Sequence, residues 1–229
     1  AVAFSPIHHA VRAAGGVFMA AGSVKAVGDF GDPAGEILTA RGLGLADLSP
    51  LPRFGFRGQG ARTWLMARGV DLPDRPNRAV TQMDGSMAIS CSWTEFLVLA
   101  NLNGGVARSA CLDLASAEAH KAHAYTLSRF DGLFWFTLAG SSGSECLAKV
   151  CDVDMREIAF PPDHVGQTRV AGLSLVVVRT LVGSIPLFHL LGDSASAEYA
   201  WTSIVDAMTE FDGGLVGLRA LHALAGEFQ

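Results

Sequence analysis

One pattern constrains the fold more than any other: residues 54–78, FGFRGQGARTWLMARGVDLPDRPNR, are matched in the order of their signals by residues 134–162, FWFTLAGSSGSECLAKVCDVDMREIAFPP. In both stretches an apolar strand runs into a glycine, Gly58 or Gly140, and a leucine follows seven residues on, Leu65 or Leu147. A short helix then ends near Val70-Asp71 or Asp152-Val153. The segments beginning at Glu95 (EFLVLANLNGGVARSACLDL) and Leu187 (LFHLLGDSASAEYAWTSIVDAM) also correspond, each reading as strand, polar break and helix. Extended material lies between them, VTQMDGSMAISCSW in one half and VGQTRVAGLSLVVVRT in the other.

Each half is therefore a β-α-β-β-α unit of roughly 75 to 90 residues, close to the ferredoxin-like split βαβ pattern. Two copies of that length indicate duplication, because solenoid repeats are shorter and need about three or more copies to bury a core. The expected class is α+β. Residues 40–122 form the first half, residues 123–229 the second half with a C-terminal tail, and residues 1–39 an N-terminal arm that packs on the rest. That arm is apolar but has no basic start and carries His8, His9 and Arg12 within it, unlike a signal peptide.

Half of the 229 residues are apolar, enough for a real core, yet no window reads as a membrane span. A net charge of −5 argues against a nucleic-acid partner. Locally the balance reverses: Arg53, Arg57, Arg62, Arg68, Arg75 and Arg78 face only Asp71 and Asp74. Such a strip is either a solvated face or a dock for an acidic partner surface or a poly-carboxylate tail.

Catalytic signatures are missing from the sequence. The glycine-rich pieces GLGLADLS, FRGQGAR and AGSSGS match neither a dinucleotide fingerprint nor a phosphate loop, and no GxSxG occurs. Cys91, Cys111, Cys146 and Cys151 lack metal or redox spacing and read as buried free thiols. His120 and His123, beside Lys121, read as a solvated helix end, and no metal site is expected. Asp84 and His189 could be drawn as a proton-transfer pair, but Asp84-Gly85 is first a hairpin signal and His189 alternates with Phe188 and Leu190 as a strand residue does.

The run GLGLADLSPLPRFGFRGQGARTWL resembles the segment that opens the folate-binding aminomethyltransferase fold of glycine cleavage T-proteins, through Gly44, Asp47, Leu48, Ser49, Gly58, Ala61, Trp64 and Leu65. LPDRPNR, then Trp93 to Leu99, Ala159 to Arg179 and Phe188 to Ala207 resemble, in order and spacing, the small gamma subunit of heterotetrameric sarcosine oxidase. The resemblance covers residues 40–210. It departs from T-proteins at their acids: only Asp84 stands in the turn that supplies their catalytic carboxylate. Ser184 and His189 follow Arg179, Thr180 and Gly183 where acids would orient folate, and Leu224 replaces a tail glutamate.

The resemblance implies a non-catalytic structural subunit, with no cofactor of its own, in a flavin-dependent amine oxidase or dehydrogenase. Such a complex demethylates N-methyl amino acids and passes the one-carbon unit to tetrahydrofolate. It implies partners of the alpha type (NAD and a folate domain), beta type (FAD and FMN) and delta type (zinc), in the cytoplasm. Arg53, Arg57, Arg62, Phe134, Trp135 and Phe136 are the expected interface residues. The alternative is a stand-alone folate-binding transferase with an altered pocket, using Asp84, Arg179 or His189 toward tetrahydrofolate.

Overall fold

The computed structural model describes residues 4–104, 120, 122–129 and 131–226. The first half contains β4 (Arg53–Arg57), α3 (Ala61–Met66), β5 (Arg78–Thr81), β6 (Met87–Ser90) and β7 (Glu95–Leu99). Its counterpart contains β9 (Leu133–Ala139), α4 (Gly143–Ala148), β10 (Val165–Val170), β11 (Leu173–Val182), β12 (Ile185–Asp193) and α5 (Ala197–Met208). The extended stretch between the strand-helix units is a hairpin in each half, turned at Asp84-Gly85 and at Ala171-Gly172.

Two sheets result, ordered β5-β6-β7-β4-β8 and β10-β11-β12-β9-β3, the latter extended by a short parallel strand β13 (Gly214–Leu215). The fifth strand of each is exchanged. β3 (Gly44–Asp47) immediately precedes β4 yet pairs with β9, while β8 (Tyr125–Ser128) immediately precedes β9 yet pairs with β4. The boundary expected between residues 122 and 123 thus divides the chain by sequence order, and pairing crosses it in both directions.

The repeated glycines explain why the pattern was visible. Gly58 (φ 136°) and Gly140 (φ 117°) both adopt backbone that L side chains rarely take. A Cβ on Gly58 would lie 2.0 Å from the His123 carbonyl oxygen, and one on Gly140 2.3 Å from that of Gly42. Each glycine lets the loop entering its helix pass against the chain that leads into the exchanged strand. Only glycine satisfies both the torsion and the space.

Alternation distributes side chains to three cores. Along β9, Phe134, Phe136 and Leu138 pack outward under α4 and α5, whereas Trp135 and Ala139 point into the layer between the sheets. The outer face of the five-stranded sheet packs Phe56, Phe96 and Val98 on Trp64 and Leu65 of α3. β9 is covered on both faces, so its run of aromatics is entirely internal.

Residues 1–39 were expected as an arm, and those described fold fully. α1 (His8–Ala13) contributes Ile7 and Val11 to the core, β1 (Val17–Ala21) and β2 (Val24–Asp29) form a hairpin, and α2 (Pro33–Gly42) runs past the expected boundary. Asp32 caps α2 by accepting from Gly35 N at 3.0 Å, with Pro33 next in the first turn, where a missing N–H is harmless. The buried Glu36 carboxylate accepts from Phe30 N (2.6 Å) and Gly217 N (2.8 Å), and Arg219 pairs with buried Asp29. These contacts tie the N-terminal segment to α6 (Leu218–Gly226). Among the described residues no helix is long and apolar enough to cross a membrane.

Candidate functional site

The layer between the sheets is not filled throughout. An inner cavity of about 120 Å³ is lined by Thr81, Gly85, Met87, Ala100, Asn101 and Leu102 of the first half and by Trp135, Thr180, Leu181, Val182, Leu187 and His189 of the second. It adjoins an outer cavity of about 520 Å³ bordered by Gln82, Met83, Asp84, Asn103, His222, Ala225 and Gly226, the two sharing Gly85, Asn101, Leu102 and Val182.

Strand periodicity decides which candidates reach this space. On β12, His189 shares its face with Leu187 and Leu191 and points between the sheets; on β11, Thr180 does the same two residues after Val178. Arg179 must then point to the other face. There it is 5% exposed, bonded to the carbonyls of Phe160 (3.0 Å) and Met155 (3.5 Å) and paired with Glu157 at 3.2 Å. Arg179 therefore braces the loop before β10 and does not enter the cavity.

His189 is held from three sides. Trp135 Nε1 donates to its Nδ1 at 3.2 Å, Thr137 Oγ1 lies 2.9 Å from the same nitrogen, and Thr180 Oγ1 lies 3.0 Å from Nε2. The indole N–H can only donate, so Nδ1 must accept and the ring proton resides on Nε2. Burial pushes the His189 pKa down to about 4, which keeps the ring neutral at physiological pH. A group so placed and so hard to protonate is a poor general base for a distant Asp84.

Asp84 occupies the β5–β6 turn. Its Oδ1 accepts from Ser86 N (2.9 Å) and Ser86 Oγ (2.5 Å), and its carbonyl accepts from Asn101 Nδ2 at 2.7 Å. The hairpin reading accounts for the two Ser86 bonds, while Asn101 reaches the turn from beyond β7. Asp84 and His189 thus line two adjoining cavities, Asp84 the outer one and His189 the inner one. Two further residues of these cavities escaped sequence reading. Asn101 follows the last residue pair of β7, and His222 on α6 has a buried Nε2 with no hydrogen-bond partner. Only helical spacing on the C-terminal segment hints that His222 turns inward.

The expected interface residues separate into two groups. Phe134, Trp135 and Phe136 are at most 1% exposed, which corrects their assignment to a surface: both faces of β9 are covered. Arg53 is corrected likewise. It is 2% exposed, and its guanidinium donates to the carbonyls of Ser49 (2.6 Å), Leu51 (2.9 Å) and Leu133, with burial lowering its pKa to about 10. Arg57 is exposed beside a shallow depression formed with Gly58, Gln59, Thr94, His123 and Tyr125. Arg62 is half-buried, donates to Pro73 O at 2.8 Å and lies 5.8 Å from the ring centre of Trp93, itself 62% exposed. Arg68 stacks on Trp64 at 3.9 Å. The strip is therefore several separate placements and not one basic face.

Cys91 and Cys146 are buried and free, their thiols pushed up to about 12 and about 11 by burial; Cys151 is half-buried, and Cys111 lies outside the described residues. His123 is exposed, as is His120. Among the described residues no three His, Cys, Asp or Glu side chains are grouped as a metal would require.

No protein-family model matches the chain, and no curated protein matches it. Solved structures do. A chain of heterotetrameric sarcosine oxidase from Corynebacterium sp. U-96, in complex with pyrrole 2-carboxylate, superposes with a TM-score of 0.67 at 21% identity, covering 92% of this chain and 97% of that one. Glycine cleavage system aminomethyltransferase T from Bartonella henselae superposes with a TM-score of 0.78 at 16% identity, covering 98% of this chain. This chain spans 62% of that protein's length. The likeness is one of fold: the chain has the α+β architecture shared by these proteins.

Tetrahydrofolate, which the resemblance implies for this fold, does not fit the residues that line the cavities. A pterin presents a donor-rich edge and needs acceptors of matching geometry. The one acceptor nitrogen of His189 is taken by Trp135 and Thr137, and Asp84, the sole carboxylate among the described residues of either cavity wall, has its Oδ1 bound to its own turn by Ser86.

Proposed function

We propose that this chain is a non-catalytic, gamma-type subunit of a multi-subunit, flavin-dependent oxidase or dehydrogenase of the sarcosine oxidase kind. Such a complex demethylates N-methyl amino acids and hands the one-carbon unit to tetrahydrofolate, with FAD, FMN, NAD and folate held by alpha- and beta-type partners and zinc by a delta-type partner in the cytoplasm. The observation that carries this reading is the cavity: its inner end is lined by a neutral histidine, and the only carboxylate among its described residues serves a turn. Coverage adds support, since the match to the sarcosine oxidase chain spans nearly all of both chains, whereas the aminomethyltransferase is much longer. Arg57, Arg62 and the exposed Trp93 are the side chains proposed to meet a partner, because Trp and Arg dominate interface energetics.

The experiment is affinity capture of the tagged chain from its native host, followed by mass analysis of what travels with it. Stoichiometric recovery of flavin-bearing partners is expected, with no heat of binding when the purified chain is titrated with tetrahydrofolate. Micromolar folate binding by a chain that travels alone would overturn this in favour of a stand-alone transferase, the reading that the about 520 Å³ outer cavity keeps open.

A further inference from the structure

The His189 network has a consequence at its far end that reaches beyond the bracing role. Because Nδ1 accepts from Trp135, the ring N–H on Nε2 donates to Thr180 Oγ1 at 3.0 Å. The Thr180 oxygen is thereby an acceptor toward histidine, and its own hydrogen must go elsewhere. Thr180 is 9% exposed, lines the inner cavity and has no other side-chain hydrogen-bond partner among the described residues. Its O–H is a buried donor whose free direction is the cavity.

The rest of that wall narrows the ligand. Met87, Leu187 and Trp135 are apolar surface, and among the described residues no lysine or arginine lines either cavity. A carboxylate entering there would lose its hydration with no cation to replace it. A ligand N–H would leave the Thr180 hydrogen unsatisfied, which costs as much as a buried unmade bond. A neutral carbonyl satisfies it. With about 120 Å³ available, near the roughly 150 Å³ that accommodates a benzene ring in an engineered apolar cavity, the fit is to a small ring or to the tip of a larger molecule.

We infer that the inner cavity is a binding site for an uncharged carbonyl group, such as a ketone, lactam or amide, on a small apolar body, with Thr180 as donor and His189 as the residue that orients it. That donor suits a carbonyl, while the one acceptor nitrogen of His189 is already taken by Trp135 and Thr137. This preference follows from the direction of three bonds and is independent of whether the chain travels with flavoproteins.

The test uses the full chain and two probes of equal shape, cyclopentanone and methylenecyclopentane, titrated by ligand-observed NMR while the Trp135 indole N–H signal reports entry into the cavity. Cyclopentanone is expected to bind roughly five- to tenfold tighter, the worth of one buried hydrogen bond, and to shift the indole signal. Thr180→Ser should keep that preference and Thr180→Val should bring the ratio near one. Equal affinities in the unaltered chain, binding of neither probe, or an unshifted indole signal would each overturn the inference. The unaltered-chain comparison stands even where Thr180→Val does not fold. Loss of co-purification with flavoproteins bears on the bracing role alone.

Discussion

Replacing His189 by glutamine isolates one ionisation from all the others in the chain. The unfolded chain protonates this imidazole with a pKa of 6.5 and the folded chain only near 4, because the ring is buried among Trp135 and Thr137 of β9 and Thr180 of β11, none of which carries charge. The folded-state pKa is depressed, so the stabilisation is fully present above pH 6.5 and disappears as pH falls toward 4. The slope is about 1.4 kcal/mol per pH unit across that window, and between pH 7 and pH 5 the loss amounts to about 2 kcal/mol. Glutamine removes the titration whatever it does to absolute stability. Urea unfolding at pH 7, 6 and 5 should therefore show the unaltered chain losing about 2 kcal/mol more than His189→Gln over that range. Asp47, whose pKa burial raises, acts with the opposite sign but equally in both proteins and cancels from the difference. Parallel profiles, within about 0.5 kcal/mol of each other, would refute the account of a histidine locked neutral by its surroundings.

Arg53→Met should cost about 3 kcal/mol or more in urea unfolding, because three carbonyls lose a buried donor, although the sequence places Arg53 in an apparently superficial strip. Glu36→Gln should cost about 2 kcal/mol, since an amide nitrogen would face either Phe30 N or Gly217 N; amide exchange should accelerate first along α6. Gly58→Ala and Gly140→Ala should each destabilise by several kcal/mol and by similar amounts, as both combine positive φ with a carbonyl about 2 Å from the new Cβ. A large inequality between them, measured by thermal unfolding, would contradict the equivalence of the two turns.

The duplication was legible because its markers are local: a glycine forced by torsion and by close approach, a leucine at fixed spacing, a helix exit. The hairpin turn at Asp84-Gly85 was readable for the same reason. What failed was inference about surface. Phe134, Trp135 and Phe136 lie in the near-continuous apolar run LFWFTLA, the mark of a strand covered on both faces, and assigning them to an interface passed over that signal. Arg53 carries the same composition signal as the exposed Arg57, and what distinguishes it is burial against the carbonyls of Ser49, Leu51 and the distant Leu133. The His189 site was half legible. The substitution at an acidic position pointed to it, but its three partners arrive from two other strands whose pairing no local pattern encodes.

The exchange of β3 and β8 makes each half incomplete on its own. Severed between β7 and β8, the chain would yield two fragments, each carrying the closing strand of the other's sheet and each leaving a naked edge ready to recruit any extended backbone. Mixed, the fragments would knit together through those borrowed strands; kept apart, they would aggregate. Interlocking of this kind ties the two halves into one packing unit, since neither sheet is complete until both halves are in place.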